Sequence, residues 1–357
     1  MANGPLAGLR VLEFVGIGPG PHCAMLLSDL GAEVVRIDRA GGNGWPNPVV
    51  DRGRAVVEVD IRSAEGLAFC LGAVEVADIL IEGFRPGVME RLGLGPDVLL
   101  ERNPRLIYGR MTGWGQTGPL AQAAGHDINY IALAGALAGI GKPGELATPP
   151  LNLVGDFGGG SMFLAFGILA AVIERQSSGR GQVVDAAIID GVGSLMTMFA
   201  GLLPSGRISL DRATNPLGGA APFYRCYLCA DGKEISVGPI EPHFYAELLE
   251  HIGAPAELRS AAADAADWGE QSEQLAAIFR RKTAEEWCAL LEGSDTCFAP
   301  VIPLHEVARH PHIRARQSYV EYDGLEQVAP APRFSRTPGA IQPSSADGRE
   351  VVARWRG

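Results

Sequence analysis

The first forty residues carry the pattern that most restricts the fold: an apolar run, a glycine-rich turn, a helical segment and a second apolar run. Residues 10–15 (RVLEFV) predict a buried strand, residues 21–30 predict a helix, and residues 33–38 (EVVRID) predict a second strand. Two strands joined through a helix lie parallel in one sheet, with the helix packed on its face. The start of the chain therefore predicts a doubly wound, parallel α/β sheet.

The alternation of apolar runs and helical segments continues downstream. Residues 182–189 (QVVDAAII) fit either a strand or the start of a helix, because a short apolar run does not distinguish the two. Further strands are predicted at 56–60, 78–82 and 106–111, and further helices at 64–75 and 161–175. This order is the one expected of a sheet covered by helices.

The pattern changes after residue 203. Residues 204–222 are rich in Pro, Gly, Ser and Asn, which is typical of a linker. Two strand-like runs, 224–229 and 234–239, flank ADGK and predict an antiparallel hairpin, with helical segments at 243–253 and 284–293 after it. We therefore divide the chain into a large domain of 1–203 that a C-terminal segment at 325–357 completes, a linker at 204–222, and a small α+β domain at 223–324.

Charge and composition narrow the classes of partner. Lys and Arg number 30 against 41 Asp and Glu, a net charge of −11, which argues against nucleic acid because phosphate backbones require a basic surface. Residues 36–110 are nearly neutral and rich in arginine, so a small anionic ligand fits there; a solvated surface of mixed charge is the alternative. The longest apolar run, Met162 to Ile173, is too short for a membrane span. With no secretory signal and six irregularly spaced cysteines, we expect a cytoplasmic protein with free thiols.

Motifs for a bound cofactor or metal are incomplete. The turn after the first strand, GIGPGP, lacks the third glycine of a dinucleotide fingerprint, because Pro21 stands there. Cys226 and Cys229 point to opposite faces of a strand and have no second pair, whereas a structural zinc needs four ligands. His305 and His310 are about 140° apart on a helix and cannot share a metal ion. We therefore expect neither a metal nor a separate cofactor.

Three short stretches hold residue types suited to acid–base chemistry. They are GHDINY with His126, GDFGGG with Asp156, and GPIEP with Glu241. Each stretch also has a structural interpretation, since a His beside an Asp is often a satisfied pair and an Asp before a helix is often its cap. Residue type alone therefore leaves their role open.

Seven segments together resemble the α-methylacyl-CoA racemases of the class III CoA-transferase superfamily, and the resemblance covers nearly the whole chain. The segments are VLEFVGIGPGPHCAMLLSDLGAEVVRIDR, ADILIEGFRPGVMERLGLGP, LIYGRMTGWGQTGP, GHDINY, NLVGDFGGGS, SSGRGQVVDAAIIDG and APRFSRT. The resemblance implies a Rossmann-like large domain and a smaller α+β domain in an interlocked homodimer. Each active site would then lie between the large domain of one chain and the small domain of the other.

The same resemblance implies roles for individual residues. His126 and Asp156 are expected to be the acid–base pair, with Glu241 supporting the histidine. Coenzyme A would enter as part of the acyl-CoA substrate. The contacts implied for it are Arg39, Val59, Asp60, Ile61, Arg62, Gly83, Phe84, Arg85, Arg91, Gly125, Asp127, Ile128, Asn129 and Tyr130.

The reaction that the resemblance implies is interconversion of (2R)- and (2S)-2-methylacyl-CoA thioesters through an enolate. A thioester α-C–H is a very weak acid, so its loss needs a base and a stabilised enolate oxygen. Neutral His126 with protonated Asp156 runs one direction, and the charged pair left by turnover runs the other, so the two groups titrate as a unit. Our hypothesis is that the loop Gly155–Gly160 and the helix after it aim N–H groups at the enolate oxygen.

Two alternatives stay open at the level of sequence. A class III CoA-transferase would use Asp156 as a nucleophile and form a mixed anhydride. His126 in GHDINY favours the racemase branch, because the transferases usually lack that histidine. A CoA-binding scaffold without catalysis would need none of His126, Asp156 and Glu241.

Overall fold

A computed structural model of the chain describes residues 4–42, 44–255, 257–258, 264–344 and 347–357. Parts of the predicted small domain (256 and 259–263) and of the predicted C-terminal segment (345–346) lie outside the described residues. The chain divides into two compact units. The first holds the described parts of Met1–Ala134, Leu151–Leu195 and Arg314–Gly357, and the second those of Gly135–Pro150 and Met196–Ile313.

A parallel sheet forms the centre of the first unit, which confirms the prediction from the first forty residues. Within the described residues it has six strands in the order β3-β2-β1-β4-β5-β6, all paired in parallel. They are β1 (Arg10–Phe14), β2 (Glu33–Asp38), β3 (Arg54–Glu58), β4 (Ile79–Glu82), β5 (Ile107–Thr112) and β6 (Val183–Ala187). Sheets with this order bind ligands beyond the carboxyl ends of their strands, where the order reverses.

Helices connect the strands and cover the sheet. They are α1 (Pro19–Asp29), α2 (Ala64–Val74), α3 (Val88–Arg91), α4 (Pro96–Arg102), α5 (Asp127–Leu133), α6 (Met162–Ser178) and α7 (Ile188–Leu195). Residues 182–189, for which the sequence left two interpretations, contain both elements, since β6 ends at Ala187 and α7 begins at Ile188. A helix thus follows the last strand directly.

Most buried strand residues are apolar because helices cover both faces of the sheet. All four residues of β4 are buried, as are Val11 and Phe14 of β1. On one face, α2 and the C-terminal helix Gly348–Trp355 complete an apolar core. Gly348 permits this close approach, since a Cβ there would lie 2.5 Å from the Val57 side chain.

Buried ion pairs account for several of the arginines that the sequence offered for an anionic ligand. The Glu13 carboxylate in β1 accepts from Arg36 at 3.2 Å and from Arg54 at 2.9 Å, and Arg54 also donates to the Pro21 carbonyl in α1. Arg52 donates to Asp29 at 3.0 Å. All of these charges are buried, and a buried charge without a partner would be costly. These arginines fix α1 on the sheet and are not available to a ligand.

The largest difference from the sequence prediction lies just before α6. We predicted a loop at Gly155–Gly160, whereas Leu153–Ser161 is a π-helix continuous with α6. Glycine disfavours helices, but here it lets α7 approach. A Cβ at Gly159 would lie 2.7 Å from the Val192 side chain, and one at Gly191 would lie 1.8 Å from the Gly159 carbonyl. The loop prediction was wrong because this packing outweighs the low helix propensity of glycine.

The π-helix and α6 form one apolar helix of 26 residues, Leu153–Ser178, which is long and apolar enough to cross a membrane. The sequence estimate was shorter because it did not include the π-helical turn. The inner side of α6 packs on the sheet, where a Cβ at Gly109 would lie 3.1 Å from Leu164 and 3.2 Å from Ile168. A helix that covers a sheet has the same length and composition, so length alone does not indicate a span.

The second unit is of mixed α and β type. Among its described residues, Arg225–Leu228, Glu234–Val237 and Phe298–Pro300 form an antiparallel sheet, and the first two strands are the predicted hairpin. Its described α-helices include Thr197–Leu202, Pro242–His251, Trp268–Phe279 and Ala284–Leu291, and Pro311–Ala315 follows at the border of the units. The ring of Phe279 lies 4.9 Å from that of Tyr227 and 5.3 Å from that of Trp287, at the centre of this core.

The limits of the two units differ in detail from the division drawn on the sequence. Residues 135–150 belong to the second unit, where Arg212 donates to the Glu145 carbonyl at 2.8 Å. The second unit resumes at Met196, and the first resumes at Arg314. The hairpin of Tyr319–Tyr322 and Leu325–Val328 lies in the first unit because Arg52 donates to Gln327 at 2.7 Å.

Candidate active site

A cleft with a volume of about 290 Å³ lies at the carboxyl edge of the sheet, beyond β4 and β5. It is lined by Gly83, Phe84, Arg85, Pro86, Thr112, Gly113, Trp114, Ala121, Ala123, Ala124, Gly125, His126 and Tyr130. Several of the predicted site residues are thereby brought together: Gly83, Phe84, Arg85, Gly125, His126 and Tyr130. The carboxyl edge is the edge at which a doubly wound sheet is expected to bind a ligand, and the cleft lies next to the reversal of strand order between β1 and β4.

The wall of the cleft after β4 is held by a buried carboxylate. Glu82 accepts from the Phe84 N–H at 2.7 Å and from the Arg110 guanidinium at 2.9 Å. Burial raises the pKa of Glu82 to about 6, although both bonds favour its ionised form. The Gln122 amide also donates to the Pro86 carbonyl at 3.0 Å. The backbone that carries Phe84 and Arg85 is therefore fixed before any ligand arrives.

The floor of the cleft includes residues that our sequence analysis did not assign. The Trp114 and Tyr130 rings meet edge to face with centroids 4.7 Å apart, and the Tyr130 hydroxyl donates to the Gly125 carbonyl. A Cβ at Gly113 would lie 2.0 Å from the Tyr130 ring, so only glycine fits there. The segment LIYGRMTGWGQTGP was among those that carried the resemblance, but nothing in one sequence indicates that its Gly113 and Trp114 support Tyr130.

His126 stands at the start of α5, exposed and at the mouth of the cleft. Its backbone N–H donates to Asn129 Oδ1 at 3.0 Å, and its carbonyl accepts from the Asn129 N–H at 2.8 Å. These two bonds close the first turn of the helix, as an N-terminal capping residue does. Asn129, which we predicted to contact coenzyme A, thus orients the backbone of His126.

Asp156 lies half-buried in the π-helix, opposite the start of α5. Its Oδ2 accepts from the Asn152 amide at 3.1 Å. Burial raises the pKa of Asp156, the charge of Asp127 raises it further, and Asn152 and His126 lower it. The Asp156 N–H donates to Oδ1 of Asp127, the residue that follows His126, so the π-helix and the start of α5 are joined at this point.

The glycine turn after β1 makes room for this carboxyl group. Gly18 has a φ of 71°, and a Cβ there would lie 3.4 Å from Asp156 Oδ2. The turn that nearly matches a dinucleotide fingerprint therefore borders Asp156. Gly18 thus has a local structural reason that requires no nicotinamide cofactor.

Asp127 lies beneath the start of α5. It is 7% exposed, and its Oδ1 accepts from the backbone N–H of Asp156 at 2.7 Å. We predicted it as a contact of coenzyme A, but its carboxylate contacts the π-helix. The Phe157 N–H is also occupied, by the Asn152 carbonyl at 3.3 Å. The N–H groups of Asp156 and Phe157, two of those in the predicted loop, are thus not free for an enolate oxygen.

The remaining predicted contacts lie elsewhere. Arg39 follows β2 and donates to the Gly42 carbonyl at 2.8 Å, and Arg62 pairs with Asp60 at 3.0 Å on the surface after β3. The neighbours Val59 and Ile61 are half-buried, Ile128 is exposed, and Arg91 ends α3. Glu241 belongs to the second unit, where it precedes the helix Pro242–His251. None of these residues lines the described cleft.

No group of three or more His, Cys, Asp or Glu side chains within the described residues could hold a metal ion. The chemistry that this region offers is that of a neutral or charged imidazole, a half-buried carboxyl and an arginine-bearing cleft wall. This combination suits proton transfer to and from an anionic, elongated ligand.

Comparisons with known proteins agree with the resemblance drawn from the seven segments. The sequence profile of CoA-transferase family III matches residues 6–346. The α-methylacyl-CoA racemase of Mus musculus is 44% identical and that of Homo sapiens 41% identical, each over 93% of this chain and 87% of its own length. A solved CAIB/BAIF family protein from Brucella suis has a TM-score of 0.82 at 26% identity, covering 99% of both chains. The chain belongs to CoA-transferase family III.

Proposed function

We propose that this chain is a 2-methylacyl-CoA racemase, an isomerase that moves the α-proton of a branched acyl-CoA thioester. The observation that carries the proposal is the hydrogen bond from the Asp156 N–H to Asp127 Oδ1 at 2.7 Å, which joins the π-helix of Asp156 to the start of α5, where His126 is the capping residue. The two mammalian relatives are named as racemases of this substrate class, which supports the same assignment.

The two groups act from opposite faces of the α-carbon. Neutral His126 removes the proton from one epimer, and protonated Asp156 returns a proton to the other face of the planar enolate. The reverse direction begins from the charged pair. The half-buried setting of Asp156 supports this scheme, because burial favours the protonated carboxyl that the first direction requires.

We place the enolate oxygen at the first turn of α5. The N–H groups of Asp127 and Ile128 have no carbonyl partner within the helix and favour a developing negative charge, whereas the Asn129 N–H is bonded to the His126 carbonyl. The corresponding groups of Asp156 and Phe157 are already bonded. This placement replaces the glycine loop as the source of enolate stabilisation.

Coenzyme A is proposed to occupy the cleft and to extend over the neighbouring surface. The proposed contacts are Gly83, Phe84, Arg85, Gly125, Tyr130, Ile128, Asn129, Arg39, Val59, Asp60, Ile61, Arg62 and Arg91. Asp127 would act indirectly, through its hydrogen bond to the backbone of Asp156. Exposed arginines beside the ends of β2 and β3 would meet its phosphates. No separate cofactor or metal enters the scheme.

An interlocked homodimer is part of the proposal, with Glu241 of one chain supporting His126 of the other. Exposed apolar side chains on α6, among them Phe166 at 72% exposure, are suited to contact with a second chain. Sedimentation equilibrium would report the mass, and a Glu241→Gln variant would lower the rate without monomer formation. We also propose a cytoplasmic location, in keeping with the free cysteines of the described residues.

The second candidate is CoA transfer within the same family, with Asp156 as the nucleophile. The exposed His126 at the mouth of the cleft favours the racemase, because a mixed anhydride at Asp156 needs no base on the opposite face.

One experiment separates the candidates. The protein is incubated with a single epimer of a 2-methylacyl-CoA in D₂O, and the α-proton is followed by NMR. Exchange with loss of stereochemical purity supports racemisation. Acyl transfer to an added carboxylate without exchange would establish the transferase, and CoA binding with neither reaction would establish a scaffold.

A further inference from the structure

Asp127 is a buried carboxylate with an unusual set of partners. Oδ1 accepts the Asp156 N–H at 2.7 Å, whereas Oδ2 is buried and has no hydrogen-bond partner in the described structure. The ion pairs of the described chain include no cation paired with it. A buried carboxylate without a cationic partner lowers the stability of the fold. Its presence therefore indicates a role other than stability.

The chain is built to bring this carboxylate to Asp156. A Cβ at Gly155 would lie 2.2 Å from Asp127 Oδ1 and 3.1 Å from the Ile131 side chain, so a larger residue would separate α5 from the π-helix. The short contact places one acidic group against the backbone of another. The carboxyl groups of Asp127 and Asp156 therefore share a half-buried region.

We propose that Asp127 is a positioning residue for the proton-transfer pair: Oδ1 anchors the backbone of Asp156, and the buried Oδ2 without a partner places a negative charge beside the Asp156 carboxyl group. This inference rests on the proposed function, since only a two-base reaction needs Asp156 in both protonation states. Two carboxyl groups in one site ionise one after the other, because the first charge opposes the second. The free Oδ2 fits this role, since donors to it would weaken its charge.

Every described group near Asp156 acts on the same equilibrium. Asp127 raises the pKa of Asp156, while the amide of Asn152 and the imidazolium of His126 lower it. Asp156 in turn raises the pKa of Tyr130, after the larger effect of burial, and Arg85 opposes both. Gly18 contributes no charge. Asp127 and Asn152 are thus neighbours with opposite effects, and this provides a matched pair of variants.

The test compares Asp127→Asn with Asn152→Ala in the pH profile of kcat/KM for α-proton exchange. The pair is active with one proton, so activity falls at low pH when Asp156 takes up a second. Asp127→Asn keeps the Oδ1 acceptor and removes the charge, which moves this acidic limb to lower pH by about one unit. Asn152→Ala removes a donor to the ionised carboxyl and moves the limb to higher pH. A merely structural role would reduce the rates of both variants without moving the limbs apart.

A second readout is independent of catalysis. In protein labelled with ¹³C at aspartate carboxyl carbons, the Asp156 resonance is the one missing from Asp156→Asn, and its titration midpoint is expected to fall in Asp127→Asn. An unchanged or higher midpoint would overturn the inference. If no substrate is racemised but the midpoint falls, the proposed function fails and the charge coupling stands.

Asp127→Ala isolates the anchoring part. It removes both the charge and the acceptor, so its exchange rate should fall at least tenfold below that of Asp127→Asn. Thermal unfolding of both variants shows whether they fold. Equal rates for the two folded variants would overturn the anchoring role.

Discussion

His126 and Asp156 occupy very different settings within the same unit. His126 is exposed at the start of a regular α-helix, and Asp156 is half-buried in a π-helical turn beside a second carboxylate. Unperturbed imidazole and carboxyl groups differ in pKa by more than two units. Burial raises the pKa of the Asp156 carboxyl group, and so moves it towards the ordinary range of an imidazole. In the proposed scheme, this difference in setting is what would allow one pair to run in both directions.

The strongest test of this comparison removes each group in turn. His126→Ala and Asp156→Ala should each lower the racemisation rate by about 10²–10⁴-fold, because each removes one proton-transfer partner. Affinity for coenzyme A, measured by titration calorimetry, should change little. His305→Ala and Asp190→Ala, which alter exposed residues of the same types, serve as controls. A near-native rate in either active-site variant would refute the two-base scheme.

The second test changes the packing under Asp156 without touching either group. Gly155→Ala would force α5 away from the π-helix, with a loss of about 1–3 kcal/mol of stability and a lower exchange rate. The matched control is Gly193→Ala on α7, where a Cβ meets nothing within 4 Å. That change should raise the stability by about 0.5–1 kcal/mol, because alanine favours the helix.

Urea unfolding and α-proton exchange measure both variants. Equal stabilities and exchange rates of Gly155→Ala and Gly193→Ala would show that the contact between Asp127 and Gly155 is not tight. A large loss of rate with little loss of stability would instead locate the effect at Asp156 itself.

The smallest expected effect concerns the cleft wall, where Glu82 has a pKa of about 6. As the pH falls through that value, Glu82 gains a proton, and its bonds to the Phe84 N–H and to Arg110 weaken. The affinity of the cleft for a coenzyme A ligand should then fall by about fivefold, a change of roughly 1 kcal/mol in binding free energy. Glu82→Gln should bind more weakly at pH 7.5 but lose this pH dependence.

Dephospho-CoA is the suitable ligand for this titration, because it lacks the phosphate monoester that titrates in the same range. Calorimetry at pH 5.5 and 7.5 compares the two proteins. An equal pH dependence in wild type and Glu82→Gln would exclude Glu82 as its source.

Much of the fold was predictable from residue pattern. The strands of the sheet follow from short apolar runs separated by helical segments, because a sheet covered on both faces needs apolar residues throughout each strand. The hairpin around ADGK followed from its turn residues in the same way. The limits of the two units could not be predicted in this way, since residues 135–150 join the second unit through contacts distant in sequence. One such contact is that between Arg212 and Glu145.

The candidate site was predictable only in part. His126 and Asp156 stood in short stretches suited to acid–base chemistry, and the resemblance to a known family supplied the cleft residues Gly83, Phe84 and Arg85. The π-helix could not be predicted from motifs, because glycine disfavours helices. Only the close approach of α7 explains why these glycines are helical. Gly113 and Trp114 were missed for the same reason: their role depends on Tyr130, which lies in another segment.

The sequence by itself determined the order of strands and helices along the chain, the family, and the chemical types of the groups that we propose to transfer protons. Only the tertiary structure decides the pKa values of those groups, and thus how strong they are as acids and bases. The pKa of Asp156 depends on burial and on the carboxylate of Asp127, twenty-nine positions away in the chain. Electrostatic energy depends on distance and on solvent, and neither can be read along a chain before it folds.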